Sequence, residues 1–455
     1  MAGLTAEIAA FASNPGFDAI PEDVASIIRS GFIDTIGTMI AGRDEPAVRL
    51  VRAQVAERRS GAMEAMVLLG PEKAYSADAA LINGTAGHAL DYDDVALTGH
   101  PSTVLVPAIL AEAERLGTPG ATALRAYLVG YEAWAELNAR EPDALHIKGW
   151  HPTAMFGTVG AAAALAHLHG LTQEAARNAI ALAASMASGV VANFGSMTKP
   201  FHAGRAAAAA VEAVRLAARG FTASADTLEH HAGFMAAISP AGRNDRTSPA
   251  KELGRTLRIR DAGLSIKRYP MCYATHRTID AMLELTAREN LRAEDVAEVE
   301  VTVGTAQASM LRNHAPKTGL EAKFSLEFAV AAPLVARRVG LSELTDSFVA
   351  RPEVREQFGK VRIRTTDTQC PIEPVFALTD RVRIRTTTGR ELDSGEVRFP
   401  RGNAKLPLTL PELREKFLDC AAGAPVDAPQ LFDGLCHLER MPSLRGGLPE
   451  VRPAA

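Results

Sequence analysis

Residues 154–169 read AMFGTVGAAAALAHLH, and this stretch decides the fold. Its larger apolar residues recur at helical spacing, while small residues fill nearly all the other sides, as in Val159-Gly-Ala-Ala-Ala-Ala-Leu165. A helix apolar on most sides belongs in the centre of a bundle, and small side chains let its neighbours approach closely. Working outward, the same alanine-rich texture runs from the N-terminus to about residue 220. It predicts helices over 24–40, 76–90, 103–116, 121–138, 154–169, 173–187 and 203–218. Aromatic residues are only 5% of the chain, which suits tight Ala/Leu packing better than a β-sandwich.

The texture changes over 221–263, where Gly, Pro, Ser and charge collect and a connecting segment is expected. Beyond it, strand-like alternation appears at 296–303, 361–365 and 381–387, the last followed by a turn at Gly389. Helices over 275–289 and 325–338 sit among these strands. The tail from 410 to 438 reads as helical again and is expected to pack back on the first domain. Residues 441–455, with three prolines and two glycines, read as a loosely held terminus. The expected fold is therefore mainly α: a large all-helical domain over 1–264, completed by 404–455, and a smaller α+β domain over 265–403. A chain of 455 residues has room for both cores.

Composition narrows the function. With 49 basic and 53 acidic residues the net charge is −4, which argues against a general nucleic-acid or membrane-surface binder. The segment Met1-Ala-Gly-Leu-Thr-Ala-Glu-Ile8 has neither a basic start nor a long apolar core, unlike a secretory signal. No uncharged apolar run approaches the ~20 residues of a membrane span. A cytoplasmic protein is expected. Cys272, Cys370, Cys420 and Cys436 have no C-x-x-C spacing, so neither a zinc site nor a disulfide framework is expected. There is no P-loop, no G-x-S-x-G and no H-E-x-x-H.

One pattern recurs in front of helices. His100-Pro101 and His151-Pro152 each precede a long apolar helix, Lys199-Pro200-Phe201-His202 precedes the one at 203–218, and Lys267 with Tyr269-Pro270-Met271-Cys272 precedes the one at 275–289. Proline suits the first helical position and pushes the residue before it out of helical geometry. The preceding side chain then projects beside the free N–H groups of the first turn, where the helix end attracts carboxylate or phosphate. The same field favours neutral imidazole and a less basic amine, both suited to taking up a proton near neutral pH. A second feature is Asn83–Asp94. His88 and Asp91 are three apart and would share a helix face that Asp94 continues. The three aspartates there could orient a histidine, act as acids, hold a metal or simply close the helix; no metal is expected.

At these motifs the sequence resembles the MmgE/PrpD family, which includes 2-methylcitrate dehydratases, cis-aconitate decarboxylases and iminodisuccinate epimerases. The stretches that carry the resemblance are NGTAGHALDYDD (83–94), His100-Pro-Ser, Gly149-Trp-His151-Pro-Thr, Met197-Thr-Lys199-Pro-Phe-His202-Ala-Gly-Arg205, Ser265-Ile-Lys267-Arg-Tyr-Pro-Met-Cys272 and Lys323-Phe-Ser-Leu-Glu-Phe. The resemblance implies a helical domain with a smaller α+β lid, a homodimer, no organic cofactor and no metal. It also implies a pocket built from Asp91, His100, His151, Lys199 and Lys267. The chain departs from the dehydratase and decarboxylase members at Val95, where they have threonine, and in a shorter interval to His100.

The implied chemistry is proton removal near a carboxylate of a small di- or tricarboxylic acid. On this reading Lys199 and Lys267 bind carboxylates, His151 is the general base or acid, and His100, oriented by Asp91, is its partner. His202, Arg205, Tyr269, His88 and Cys272 are the candidates for substrate binding. A hydro-lyase of 2-methylcitrate dehydratase type is the first expectation. An imino-dicarboxylate epimerase or a cis-aconitate-type decarboxylase comes second, and a non-catalytic helical carboxylate-binding protein is the alternative of another class.

Overall fold

A computed structural model describes residues 3–58, 61–373, 375–445 and 448. The chain divides into two units, one made of Met1–Ile266 with Leu410–Ala455, the other of Lys267–Thr409. The first crossing falls after Ile266, two residues later than the texture suggests. Ser265 exchanges both backbone hydrogen bonds with Val95, at 2.8 and 3.0 Å, and stays tied to the first unit. The second crossing falls at Leu410, where a helix starts, rather than at 404.

The first unit runs α1 (Leu4–Ser13), α2 (Glu22–Gly42), α3 (Pro46–Glu57), a small antiparallel pair β1 (Ala65–Met66) and β2 (Lys73–Ala74), α4 (Ser76–Ala89), α5 (Ser102–Leu116), α6 (Gly120–Arg140), α7 (Pro152–Leu168), α8 (Gln173–Met186) and α9 (Thr198–Ala217). Every residue of α7 except His167 is buried, as its all-round small and apolar text requires. It packs against α5, α6, α8 and α9. Two glycine crossings set the spacing. A Cβ added to Gly130 on α6 would lie 2.8 Å from the carbonyl oxygen of Gly160 on α7. One added to Gly204 on α9 would lie 2.2 Å from the carbonyl oxygen of Leu81 on α4. Helix α2 is long and apolar enough to cross a membrane by length and composition, yet 72% of its apolar window is buried in the bundle.

Helix α9 begins at Thr198, five residues before the expected start at 203. Pro200 sits in its first turn, where no intrahelical N–H bond is needed, so it does not break the helix. The C-terminal helices Leu410–Cys420 and Ala428–Leu435 pack on α2. Phe417 fills the space above Gly37, and buried Lys416 places its Nζ 2.5 Å from Asp34 Oδ1 and 2.8 Å from the Tyr92 carbonyl. The start of the tail is docked, not loose. Leu444 is buried and its amide donates to the Thr118 carbonyl at 2.9 Å. Of the remainder expected to be loosely held, 446–447 and 449–455 lie outside the described residues.

The second unit holds a four-stranded sheet in the order β4 (Val361–Thr366), β3 (Val296–Gly304), β5 (Asp380–Thr386), β6 (Glu391–Val397). The β3–β4 pair is parallel and the other two are antiparallel. Helices His276–Arg288 and Leu326–Ala336 share its apolar core, with Ser325 Oγ capping the latter through the Phe328 amide. Strand β6 had no counterpart in the sequence reading. Asp393-Ser394-Gly395, with Gly395 at φ +71°, interrupts the alternation that marks a strand.

Candidate active site

The crossing of α4 with α9 builds the site. At Gly84 and Gly204 the two backbones nearly touch, so the C-terminal end of α4 and the first turn of α9 share one place. Helix α4 stops at Ala89, and Asp91 takes a left-handed conformation (φ +52°), its amide donating to the His88 carbonyl at 3.1 Å. A non-glycine residue in that region is strained, and such strain collects at functional sites. The turn aims Asp91 at α9, where its Oδ1 accepts from Lys199 Nζ at 2.8 Å. The i,i+3 reading of His88 and Asp91 therefore does not hold, because the helix has already ended.

Asp93, the next acidic residue inward, has no solvent exposure. It takes His88 Nδ1 at 2.9 and 3.0 Å on its two oxygens and His100 Nδ1 at 3.1 Å on Oδ2. His100 Nδ1 also lies 2.8 Å from the Asp94 carbonyl oxygen. A carbonyl oxygen and a carboxylate only accept, so both Nδ1 atoms carry the proton. The other ring nitrogen of His100, Nε2, lies 4.0 Å from Asp91 Oδ1. The carboxylate in contact with His100 Nδ1 is that of Asp93, while Asp91, expected to orient the ring, stands farther off on the Nε2 side.

Further in, His151 is the N-cap of α7, with Pro152 in the first helical position. Its Nδ1 lies 3.2 Å from His202 Nδ1, and Phe194 packs edge-on against its ring at 4.8 Å. Of the four proline junctions, this one has the expected geometry throughout. At His100 the N-cap is Pro101 itself, Lys199 and His202 are inside α9, and the last helix begins at His276, well past Pro270.

Burial governs the protonation of this cluster. It is the largest influence on His88 and, with Lys199 and His100, outweighs Asp93 and brings the ring down to about 4. Burial, then His88, His100, Lys199 and His202, push His151 far below the ordinary imidazole range. His202 is lowered by burial and by Lys199. Burial raises Asp93, but the His88 and His100 imidazoles more than offset it and hold the carboxyl well below its usual range. Beneath them, burial and then Asp34 push Asp94 well up; its Oδ2 accepts from Ser102 Oγ at 2.5 Å. The site thus pairs an ionised carboxylate with the neutral imidazoles of His88, His151 and His202, and Lys199 stands on the Asp91 side.

The first unit brings together Asp91, His100, His151, Lys199 and His202. His88, expected among the substrate-binding groups, has a side chain wholly out of solvent and stands behind Asp93. Arg205 lies one turn beyond His202 on α9, partly buried, with no hydrogen bond or ion pair among the described residues. Lys267, Tyr269 and Cys272 belong to the second unit. There the Tyr269 hydroxyl donates to Asp280 Oδ1 at 2.6 Å, and the Cys272 amide donates to the Lys323 carbonyl at 2.9 Å. Phe194 is the residue the sequence reading missed. It carries no chemistry of its own, but its ring faces His151 and lies 5.3 Å from Lys199 Nζ. His88, Asp91, Asp93 and His100 also bring ligand-type atoms within 4.8 Å of one another. Two imidazoles and two carboxylates could hold a divalent cation, although the Nδ1–H groups are committed to oxygen acceptors.

Comparison with known proteins identifies the family. The MmgE/PrpD N-terminal domain matches residues 6–246 and the MmgE/PrpD C-terminal domain matches 269–431. The chain belongs to the MmgE/PrpD family. This MmgE/PrpD protein is similar to the cis-aconitate decarboxylase of Homo sapiens, 29% identical over 350 residues that cover 74% of this chain and 71% of that protein. It is also similar to the cis-aconitate decarboxylase of Aspergillus terreus, 28% identical over 389 residues that cover 79% and 78%. The relatives are lyases, and the site described here lies within the N-terminal family domain.

Proposed function

We propose that the protein is a cofactor-independent lyase for a small di- or tricarboxylate, with decarboxylation of a cis-aconitate-like acid ahead of dehydration. The observation that carries this reading is His100, its Nδ1 held against the Asp93 carboxylate and its Nε2 turned to the Lys199–Asp91 ion pair. The names of the relatives favour loss of carbon dioxide over loss of water. Lys199 exchanges Asp91 for a substrate carboxylate and holds it as an ion pair in a partly buried setting. When the carbon–carboxylate bond breaks, its electron pair passes into the carbon skeleton and carbon dioxide leaves. Protonated His100 then supplies a proton to carbon from Nε2, and Asp93 balances the imidazolium beforehand. His151, kept neutral by burial, serves as a hydrogen-bonding wall in this reading, and the general base or acid role expected of it forms no step here. The role that the resemblance implies for Lys267 forms no step here.

One departure favours a second reading. Val95 offers no hydroxyl where the dehydratase and decarboxylase members have threonine, which removes a donor and acceptor for a substrate oxygen. The same proton transfer would then serve epimerisation of a related dicarboxylate. The test is a panel of cis-aconitate, 2-methylcitrate and imino-dicarboxylic acids followed by proton NMR. Loss of carbon dioxide from the first, abolished by Lys199→Ala, supports the proposal. Turnover untouched in both Lys199→Ala and His100→Gln, or no turnover of any acid, overturns it.

A further inference from the structure

We propose that Asp93 is the positioning residue of the proton-transfer histidine: its carboxylate holds the Nδ1–H of His100 while His88 clamps that carboxylate from behind, fixing Nε2 of His100 as the basic nitrogen. This rests on the functional reading above for its consequence in turnover, but its structural content stands apart from any substrate. Three observations lead to it. Asp93 is wholly buried and is approached by both imidazoles, at 2.9 and 3.0 Å from His88 and 3.1 Å from His100. The Asp94 carbonyl lies on the same side of His100 at 2.8 Å. The opposite tautomer would set a lone pair against two oxygen acceptors, so the ring has one workable orientation and one workable proton position.

His88 is the unusual member. Its Nδ1–H reaches both oxygens of Asp93, which prevents the carboxylate from rotating. Its Nε2 is buried and has no hydrogen-bond partner among the described residues. A buried ring whose one N–H is committed to a carboxylate acts as a clamp, not as an acid. The Asp93 carboxylate lies 3.1 Å from His100 Nδ1, so a proton taken up at Nε2 is held on a ring already set against a carboxylate, in the manner of the carboxylate behind a catalytic histidine in hydrolases.

The experiment uses the full chain labelled with [15N]histidine, the His100 signals being assigned by their loss in His100→Gln. In the unaltered protein the neutral ring of His100, followed across a pH titration, should show a pyrrole-type Nδ1 and a pyridine-type Nε2. In Asp93→Asn the side-chain amide can turn a donor toward Nδ1, so the Nε2–H form should appear, and kcat should fall by roughly a hundred- to ten-thousandfold with KM changed only a few fold. His88→Gln keeps a donor for Asp93 and should retain kcat to within about tenfold. A neutral His100 ring that carries its proton on Nε2 rather than Nδ1 in the unaltered protein overturns the proposal even if Asp93→Asn does not fold. So does a wild-type kcat in folded Asp93→Asn, or a loss in His88→Gln as deep as in Asp93→Asn. If no polycarboxylate is turned over, the functional reading fails while the spectra still decide the tautomer.

Discussion

Replacing Gly204 by alanine should damage both stability and turnover, and the structure gives the size of each effect. In an open helix the change would be favourable by up to ~1 kcal/mol, because alanine is the better helix former. Here the new methyl carbon would stand 2.2 Å from the Leu81 carbonyl oxygen, 2.4 Å from Thr85 Oγ1 and 2.9 Å from the Thr85 amide nitrogen. Two of these neighbours are backbone atoms and cannot rotate away, so α4 and α9 must part by about 1 Å to restore ordinary contact. Over-packing of this kind costs about 1–3 kcal/mol, enough to reverse the helix preference. Lys199 lies five residues upstream on the same helix, and its 2.8 Å contact to Asp91 would not survive that movement. A 1 Å misplacement can reduce turnover by roughly a hundredfold. Trp134 and Trp150, the two tryptophans of the chain, are both in the first unit, so their fluorescence during urea unfolding reports on that unit alone. Gly61→Ala, in the same unit and with a methyl that meets nothing within 4 Å, is the control. A Gly204→Ala protein with an unchanged midpoint and full activity would refute the argument that this crossing sets the site.

Two other predictions concern charges buried around the bundle. Glu112 is raised by burial, but hydrogen bonds from His169, Arg115 and Ser76 outweigh this and bring it to about 2, against 4.5 for the free side chain. A depressed folded value means the contribution is fully present above about pH 4.5 and is lost as pH falls from there toward 2; the shift amounts to about 3 kcal/mol. Glu112→Gln should remove that part of the acid dependence of urea stability, and an unaltered slope would contradict it. Lys416→Met leaves Asp34 buried without its ammonium and should destabilise the first unit by roughly 3–5 kcal/mol, while the double change with Asp34→Leu should recover most of the loss. Equal midpoints for Lys416→Met and the unaltered protein would sink that reasoning.

What could be read in the sequence follows from where its signals are local. The alanine runs mark α4 to α9 because small residues at helical spacing have few other uses. Helix starts are less legible: Pro200 looks like a boundary although a first turn tolerates it, so α9 was placed five residues late. Strand β6 was lost because a glycine and two polar residues hide a period of two. The site was legible wherever a side chain sits at a helix entrance, as with His151 and, one residue removed, His100. The choice between Asp91 and Asp93 was not legible. It depends on a single left-handed residue that ends the helix and sends consecutive carboxylates to opposite tasks, Asp91 to Lys199 and Asp93 to two imidazoles. Phe194 gave no signal at all, since an isolated aromatic in a loop reads as packing until the fold places it against His151.

The most direct measurement is turnover in heavy water by the unaltered protein and by His100→Gln, with cis-aconitate as the first substrate and the product analysed by NMR. The account predicts that the unaltered protein places one deuterium on carbon for each molecule of carbon dioxide released, on one face only, and that His100→Gln does neither at a measurable rate. Equal rates in both proteins, or deuterium scattered over both faces, would contradict it.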